Sequence, residues 1–177
     1  MTLAATDCAL LLIDFQQRLI PAIAEGEAVV KNAARLAEAA RLLDIPVLAT
    51  EQNPEGLGST VEPVAPYPGA VLAKTHFDAT RAEKFDSLLP PGRETIVVTG
   101  CEAHVCVLQT VLGLLERGVR VAVVQDAVGS RRVENREAGL DRMRAHGAEL
   151  VTTEMAIFEW LEASGHPRFR EVMRLVK

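Results

Sequence analysis

Short apolar runs alternate along this chain with longer stretches in which apolar residues return every third or fourth position, the signature of strands and helices in alternation. Cys8 to Asp14 (CALLLID) is apolar up to its closing carboxylate and predicts a first strand buried on both faces. From Glu27 to Leu43 the residues Val30, Ala33, Ala34, Ala37, Ala40 and Leu42 recur near helical spacing, with Lys31, Arg35, Glu38 and Arg41 as the wet face, so the first crossover is a helix. Further strands are predicted at Pro46 to Thr50, Ala70 to Lys74, Thr95 to Thr99, Arg120 to Gln125 and Glu149 to Thr152. Helices are predicted at Arg81 to Leu88, Val105 to Arg117, Val133 to His146 and Glu154 to Glu162, with a last turn or two from Phe169. Gly118 and Gly147 fit as C-terminal stops.

Six strands alternating with helices imply an α/β chain, three layers (α/β/α) around a six-stranded, mostly parallel sheet. Right-handed crossovers in a doubly wound sheet put a ligand outside the carboxyl ends of the strands where their order reverses, here just after the first, third and fourth strands. The stretch QNPEGLGSTVEPVAPYPG is too long and too rich in Gly and Pro for an ordinary connection and reads as a lid or a subunit-contact loop. No repeat or linker divides the chain, so residues 1–177 are expected to form one domain.

With 177 residues, 49% hydrophobic and 24% charged, the chain suffices for one ordinary core, which rests on Ala, Val and Leu because aromatics are only 4%. The formal charge is -5 and no basic run lines up against successive phosphates, so nucleic acid is not an expected partner. The apolar run Ala9 to Ile13 is far short of the roughly 20 residues that span a bilayer. The start MTLAATD carries no basic segment, so no membrane partner and a cytoplasmic location are expected. Cys8, Cys101 and Cys106 make an odd set, which argues against a disulfide framework. Cys101, His104 and Cys106 lack the paired spacing and fourth ligand of a zinc site, so no metal is expected. The first strand is followed by DFQQRL instead of G-x-G-x-x-G, and no GxxxxGK[ST] occurs, which leaves no cofactor expected.

Three reactive side chains stand at the strand ends: Asp14 after LLLI, Lys74 after AVLA, and Cys106 at the start of the helix after TIVVTG. Each has a plain reading alone, as a cap or ribose contact, a snorkelling lysine and a core thiol. Together they can form a nucleophilic site, with a thiolate favoured by a helix N-terminus and a nearby ammonium and with Asp14 taking the thiol proton. The residues by themselves leave both readings open.

The segment TGCEAHVCVLQTVLGLLERGVRVAVVQDAVGSR, with LLLIDFQ near the start and AKTHFDA in the middle, resembles the isochorismatase-like cysteine hydrolase family. TEQNPEGLG and a TTE-x-x-x-FEWL-like C-terminal segment resemble one branch of its isochorismatase-domain hydrolases. The resemblance covers nearly the whole chain and implies a Rossmann-like isochorismatase fold. It implies Cys106 as nucleophile, Asp14 as general base and Lys74 as electrostatic partner. It further implies a cis peptide between Cys101 and Glu102, turning the Glu102 N–H toward that of Cys106 as an oxyanion hole. Metal-dependent nicotinamidases of the family carry Asp-x-His after the second strand, where this chain has Thr50, Glu51, Gln52 and Asn53. The metal-free amidases are therefore the better guide, and the implied reaction is cleavage of a small carboxamide through a thioester in a homo-oligomer, dimer or higher.

Glu51 and Gln52 can bond a substrate amide, His76 and Phe77 line the site or open the next loop, and Phe15 faces either the pocket or a packed helix. His104 reads as a pocket wall or as the source of an orienting hydrogen bond, and Asp126 as an orienting group for the following loop or a plain cap. The competing reading is a non-catalytic or redox-sensing oligomer that keeps the fold, with Cys106 linking reversibly to Cys101 under peroxide.

Overall fold

A computed structural model describes residues 2–176. Six strands, β1 (Cys8–Ile13), β2 (Val47–Gln52), β3 (Ala70–Lys74), β4 (Thr95–Cys101), β5 (Arg120–Gly129) and β6 (Glu149–Val151), form one sheet in the order β3-β2-β1-β4-β5-β6. Every pairing is parallel. Helices α1 (Gly26–Leu42), α6 (Thr153–Leu161) and α7 (Phe169–Val176) cover one face, and α4 (Leu108–Glu116) with α5 (Val133–Ala145) the other. Two one-turn helices, α2 (Pro54–Leu57) and α3 (Phe85–Leu88), lie in connections.

The apolar run of β1 follows from its place in the middle of the sheet. Cys8, Leu10 and Leu12 pack toward α1, while Ala9, Leu11 and Ile13 pack toward α4, and all six are buried. A strand sandwiched this way must be apolar at every position. The reversal of strand order falls between β1 and β4, so the chain segments leaving those two strands diverge and open a crevice at their carboxyl ends.

Several elements differ from their sequence prediction. The helix expected over residues 81–88 is a 3-10 turn (Ala79–Arg81) followed by α3, because the Asp78 carboxylate caps Thr80 N–H at 2.9 Å and only Phe85 supplies a buried anchor in the helical turn. Strand β5 continues past Gln125 to Gly129: a register shift opposite Thr99 bulges the polar Gln125 and Asp126, and pairing resumes at Gly100 with Val128. The long connection after β2 is docked along its first half, where Gln16 bridges Thr60 and Arg18 N–H bonds Leu57 O at 3.0 Å.

Two glycines set close approaches that matter for the crevice. Gly100 sits at φ 145°, and a Cβ there would lie 2.2 Å from Ile13 O, so only glycine lets the end of β4 press against the end of β1. At Gly139 a Cβ would meet Ala103 O and His104 Cα at 3.0 Å, which lets α5 lie flush against the turn that follows β4. Among the described residues no helix is long and apolar enough to cross a membrane.

Candidate active site at the carboxyl ends of the central strands

Asp14 follows β1 directly and adopts left-handed backbone at φ 53°, an uncommon state for a residue with a side chain. Ile13 points toward α4, and strict alternation would send Asp14 to the α1 side; the left-handed turn breaks that alternation at the sheet edge. The carboxylate is completely buried and both oxygens are engaged. Thr50 Oγ1 donates to Oδ1 at 2.7 Å, and Lys74 Nζ donates to Oδ2 at 2.8 Å. The side chains of Asp14 and Lys74 are wholly inaccessible. β3 lies two strands from β1, roughly 9.5 Å, and the four-carbon lysine stem crosses β2 to close that gap.

Cys106 completes the cluster, its buried thiol close enough to the Asp14 carboxylate and the Lys74 ammonium to feel the charge of both. It sits in a π turn (Ala103–Val107) ahead of α4 instead of in the first turn of an α-helix. The expectation of a stabilised thiolate is corrected here: burial first, then the charge of Asp14, push the thiol up to about 12, and Lys74 only partly offsets them. The resting site therefore holds S–H beside a carboxylate–ammonium pair.

That displacement has a measurable cost. Below pH 9 the thiol is protonated both folded and unfolded; from there up to about 12 the unfolded chain releases a proton that the folded protein keeps. Stability is thus lost as pH rises through this window, by about 1.4 kcal/mol per unit for this group. Cys106→Ser is expected to remove that share of the decline, read as a shallower loss of melting temperature above pH 9 than in the parent protein.

The peptide bond between Cys101 and Glu102 is cis. The Glu102 carboxylate accepts from Arg131 backbone N–H at 3.1 Å and from Arg131 Nε at 3.0 Å. Burial opposes its ionisation, but those bonds and the guanidinium charge prevail and hold the carboxyl below its usual range. Cys101 packs on the α1 side of the sheet near Ile23 and Val29, whereas Cys106 belongs to the α4 side, and burial drives the Cys101 thiol far up.

Several residues expected at the substrate are used otherwise. Phe15 is buried in the core cluster on the α1 side, so of its two expected positions the packed one is found. Glu51 Oε1 accepts from Thr60 N and Oγ1, both at 2.7 Å, and pins the docked loop. Gln52 Oε1 accepts from Lys74 Nζ at 2.8 Å. His104 Nδ1 lies 3.0 Å from Ser130 Oγ. Asp126 serves as a plain anchor, accepting from Thr153 N and Oγ1 at the start of α6. His76 and Phe77 are exposed just beyond β3. His76 lines an open cleft of about 610 Å³ together with Asn53, Glu55, Lys74, Arg81 and Glu83. Among the described residues no group of three or more His, Cys, Asp and Glu side chains is gathered to hold a metal ion.

Sequence reading missed Thr50, Gln16 and Arg131. Thr50 pairs with Ile13 in the register of β1 and β2, which places its hydroxyl beside Asp14 once the strand order is known. No local signal marks Gln16 or Arg131.

Residues 8–155 match the Isochorismatase domain. The chain belongs to the isochorismatase family. It is 40% identical over 168 residues to human isochorismatase domain-containing protein 2, an alignment covering 95% of this chain and 82% of that protein. Among solved structures, a Caenorhabditis elegans protein described as MAR1 ribonuclease superposes with a TM-score of 0.93 at 37% identity, over 99% of this chain and 92% of that one. The YcaC gene product of Escherichia coli, described as an octameric hydrolase of unknown specificity, superposes at 0.87 with 27% identity, over 98% of this chain and 95% of that one. Family membership and a hydrolase among its structural neighbours support a hydrolase for this chain, and the isochorismatase-like fold expected from the sequence motifs is the fold found.

Proposed function

We propose that this isochorismatase-family chain is a cysteine hydrolase that cleaves a small carboxamide through a thioester on Cys106. One observation carries the reading: the Cys106 thiol and the Lys74 ammonium meet on a single buried carboxylate, Asp14, at the reversal of strand order. Because the thiol rests protonated, Asp14 takes its proton as sulfur attacks the carbonyl carbon, and Lys74 steadies the negative charge as it passes from oxygen to sulfur. The backbone N–H groups of Glu102 and Cys106 receive the oxyanion. The C–N bond breaks with the proton on Asp14 going to the leaving amine. Water then attacks the thioester, giving a proton to Asp14; sulfur leaves, is reprotonated, and the acid departs.

The redox alternative is disfavoured by the placement of Cys101 and Cys106 on opposite faces of the sheet. The ribonuclease description belongs to the C. elegans relative; in this chain the charge of -5 and the buried carboxylate at the site favour a small neutral substrate. An oligomer of identical subunits is the assembly we propose, supported by the octameric E. coli neighbour.

The test is a panel of small amides, ureas and esters incubated with the protein and followed by intact mass. The expected result is an increment equal to the acyl group, mapped to Cys106 and lost again as product accumulates. Product formation with no adduct on Cys106 under rapid acid quench, from a substrate whose turnover is limited by deacylation, would overturn the covalent route.

A further inference from the structure

We propose that Gln52, itself gripped by Gln16, is a positioning residue that keeps the Lys74 ammonium on Asp14. The inference rests on the reading of Cys106, Asp14 and Lys74 given above.

The Gln52 amide is spent inside the protein. Oε1 accepts from Lys74 Nζ at 2.8 Å and Nε2 donates to Thr75 O at 2.7 Å, so the side chain is fixed across the ends of β2 and β3. Its backbone is fixed as well. Gln16 Oε1 accepts from Gln52 N at 2.8 Å, and Gln16 Nε2 donates to Gln52 O at 3.0 Å and to Gly58 O at 2.7 Å. Gln16 is completely buried with both halves of its amide satisfied, and it pairs three backbone groups that an apolar side chain would leave without partners, so it holds the end of β2 in one position. A lysine ammonium on a flexible stem has many rotamers, and one acceptor leaves it free to swing; a second acceptor on a rigid base selects the rotamer that faces Asp14.

The consequence reaches Cys106 through charge. The groups that face its thiol are Asp14 beyond β1, Lys74 at the end of β3 and Glu102 beyond β4, the last paired with Arg131. Asp14 and Glu102 raise the thiol and Lys74 lowers it, so any loosening of Lys74 leaves less thiolate. Around Lys74 itself the charged and titratable groups of the neighbouring cleft are Glu55, His76, Arg81 and Glu83, and of the groups near it Asp14 and Gln52 hold its nitrogen.

Iodoacetamide is the probe, because its reaction with Cys106 needs thiolate and no substrate contact. With the thiol midpoint at about 12, the logarithm of the alkylation rate rises linearly with pH across the range in which the protein is folded, and a changed midpoint displaces that line. Lys74→Met is expected to slow Cys106 alkylation about 10-fold or more at each pH. Gln52→Met is expected to slow it about 3- to 10-fold, and to add nothing further in the Lys74→Met background. Gln52→Asn, one methylene too short to reach Nζ, should share the slowing of Gln52→Met and needs no tolerance of the lysine variant. An unchanged line for Gln52→Met and Gln52→Asn while Lys74→Met is slow overturns the positioning role alone. Slowing by Gln52→Met that multiplies with that of Lys74→Met also overturns it, since the glutamine would then act by another route. An unchanged line for Lys74→Met overturns both this inference and the assignment of Lys74 to the site.

Discussion

Cys106→Ala is expected to lower turnover of any amide or ester the protein cleaves by about 10⁵- to 10⁶-fold, the scale on which removing a covalent nucleophile acts. The fold should hardly notice. Cys106 is a small buried side chain, and exchanging its sulfur for hydrogen costs on the order of 1 kcal/mol in lost packing, while Asp14 retains its bonds to Thr50 and Lys74. The two measurements separate chemistry from structure: steady-state hydrolysis should vanish and the thermal midpoint should move by only a few degrees. Hydrolysis that survives in Cys106→Ala within tenfold of the parent rate would remove Cys106 from the reaction, and the reading would have to place the nucleophile elsewhere.

How far the sequence alone reaches is visible in the same three residues. Asp14 and Lys74 each stand where an apolar run ends and Cys106 follows the run of β4 within one turn, so the pattern locates them without any knowledge of the sheet; β1 and β4 are apolar because they are buried along their whole length, whereas β3 lies largely exposed at the sheet edge. Their convergence depends on strand order, which the pattern constrains through the crossover rule and the family resemblance makes definite. What stays hidden are properties of depth and register. The hydroxyl of Thr50 meets Asp14 because Ile13 and Thr50 are paired across β1 and β2, and nothing in PVLAT announces that pairing. Gln16 carries no local signal of depth, and the returning loop buries it. Sequence points the ionisation of Cys106 in the wrong direction because a helix terminus and an ammonium are visible as motifs, whereas the extent of desolvation is a tertiary quantity. Burial of the thiol and the charge of Asp14 outweigh both.

That balance gives the sharpest prediction for Asp14→Asn, in which turnover and thiol reactivity should move in opposite directions. Asparagine keeps the shape but removes the base, so hydrolysis is expected to fall by about 10²- to 10⁴-fold, the usual share of a positioned general base. The negative charge that raises the Cys106 thiol disappears with it, while the Lys74 ammonium that lowers the thiol remains, so the thiol midpoint should drop and iodoacetamide should modify Cys106 faster than in the parent protein. Stability should suffer more than in any other variant of the site. Lys74 would be left wholly buried with no counter-ion, a change worth about 3–5 kcal/mol in the charged state, with only Gln52 and the asparagine carbonyl to accept its protons. Slower alkylation in Asp14→Asn together with full thermal stability would mean that the carboxylate neither raises the thiol nor balances the ammonium, and the three side chains would no longer form one electrostatic unit.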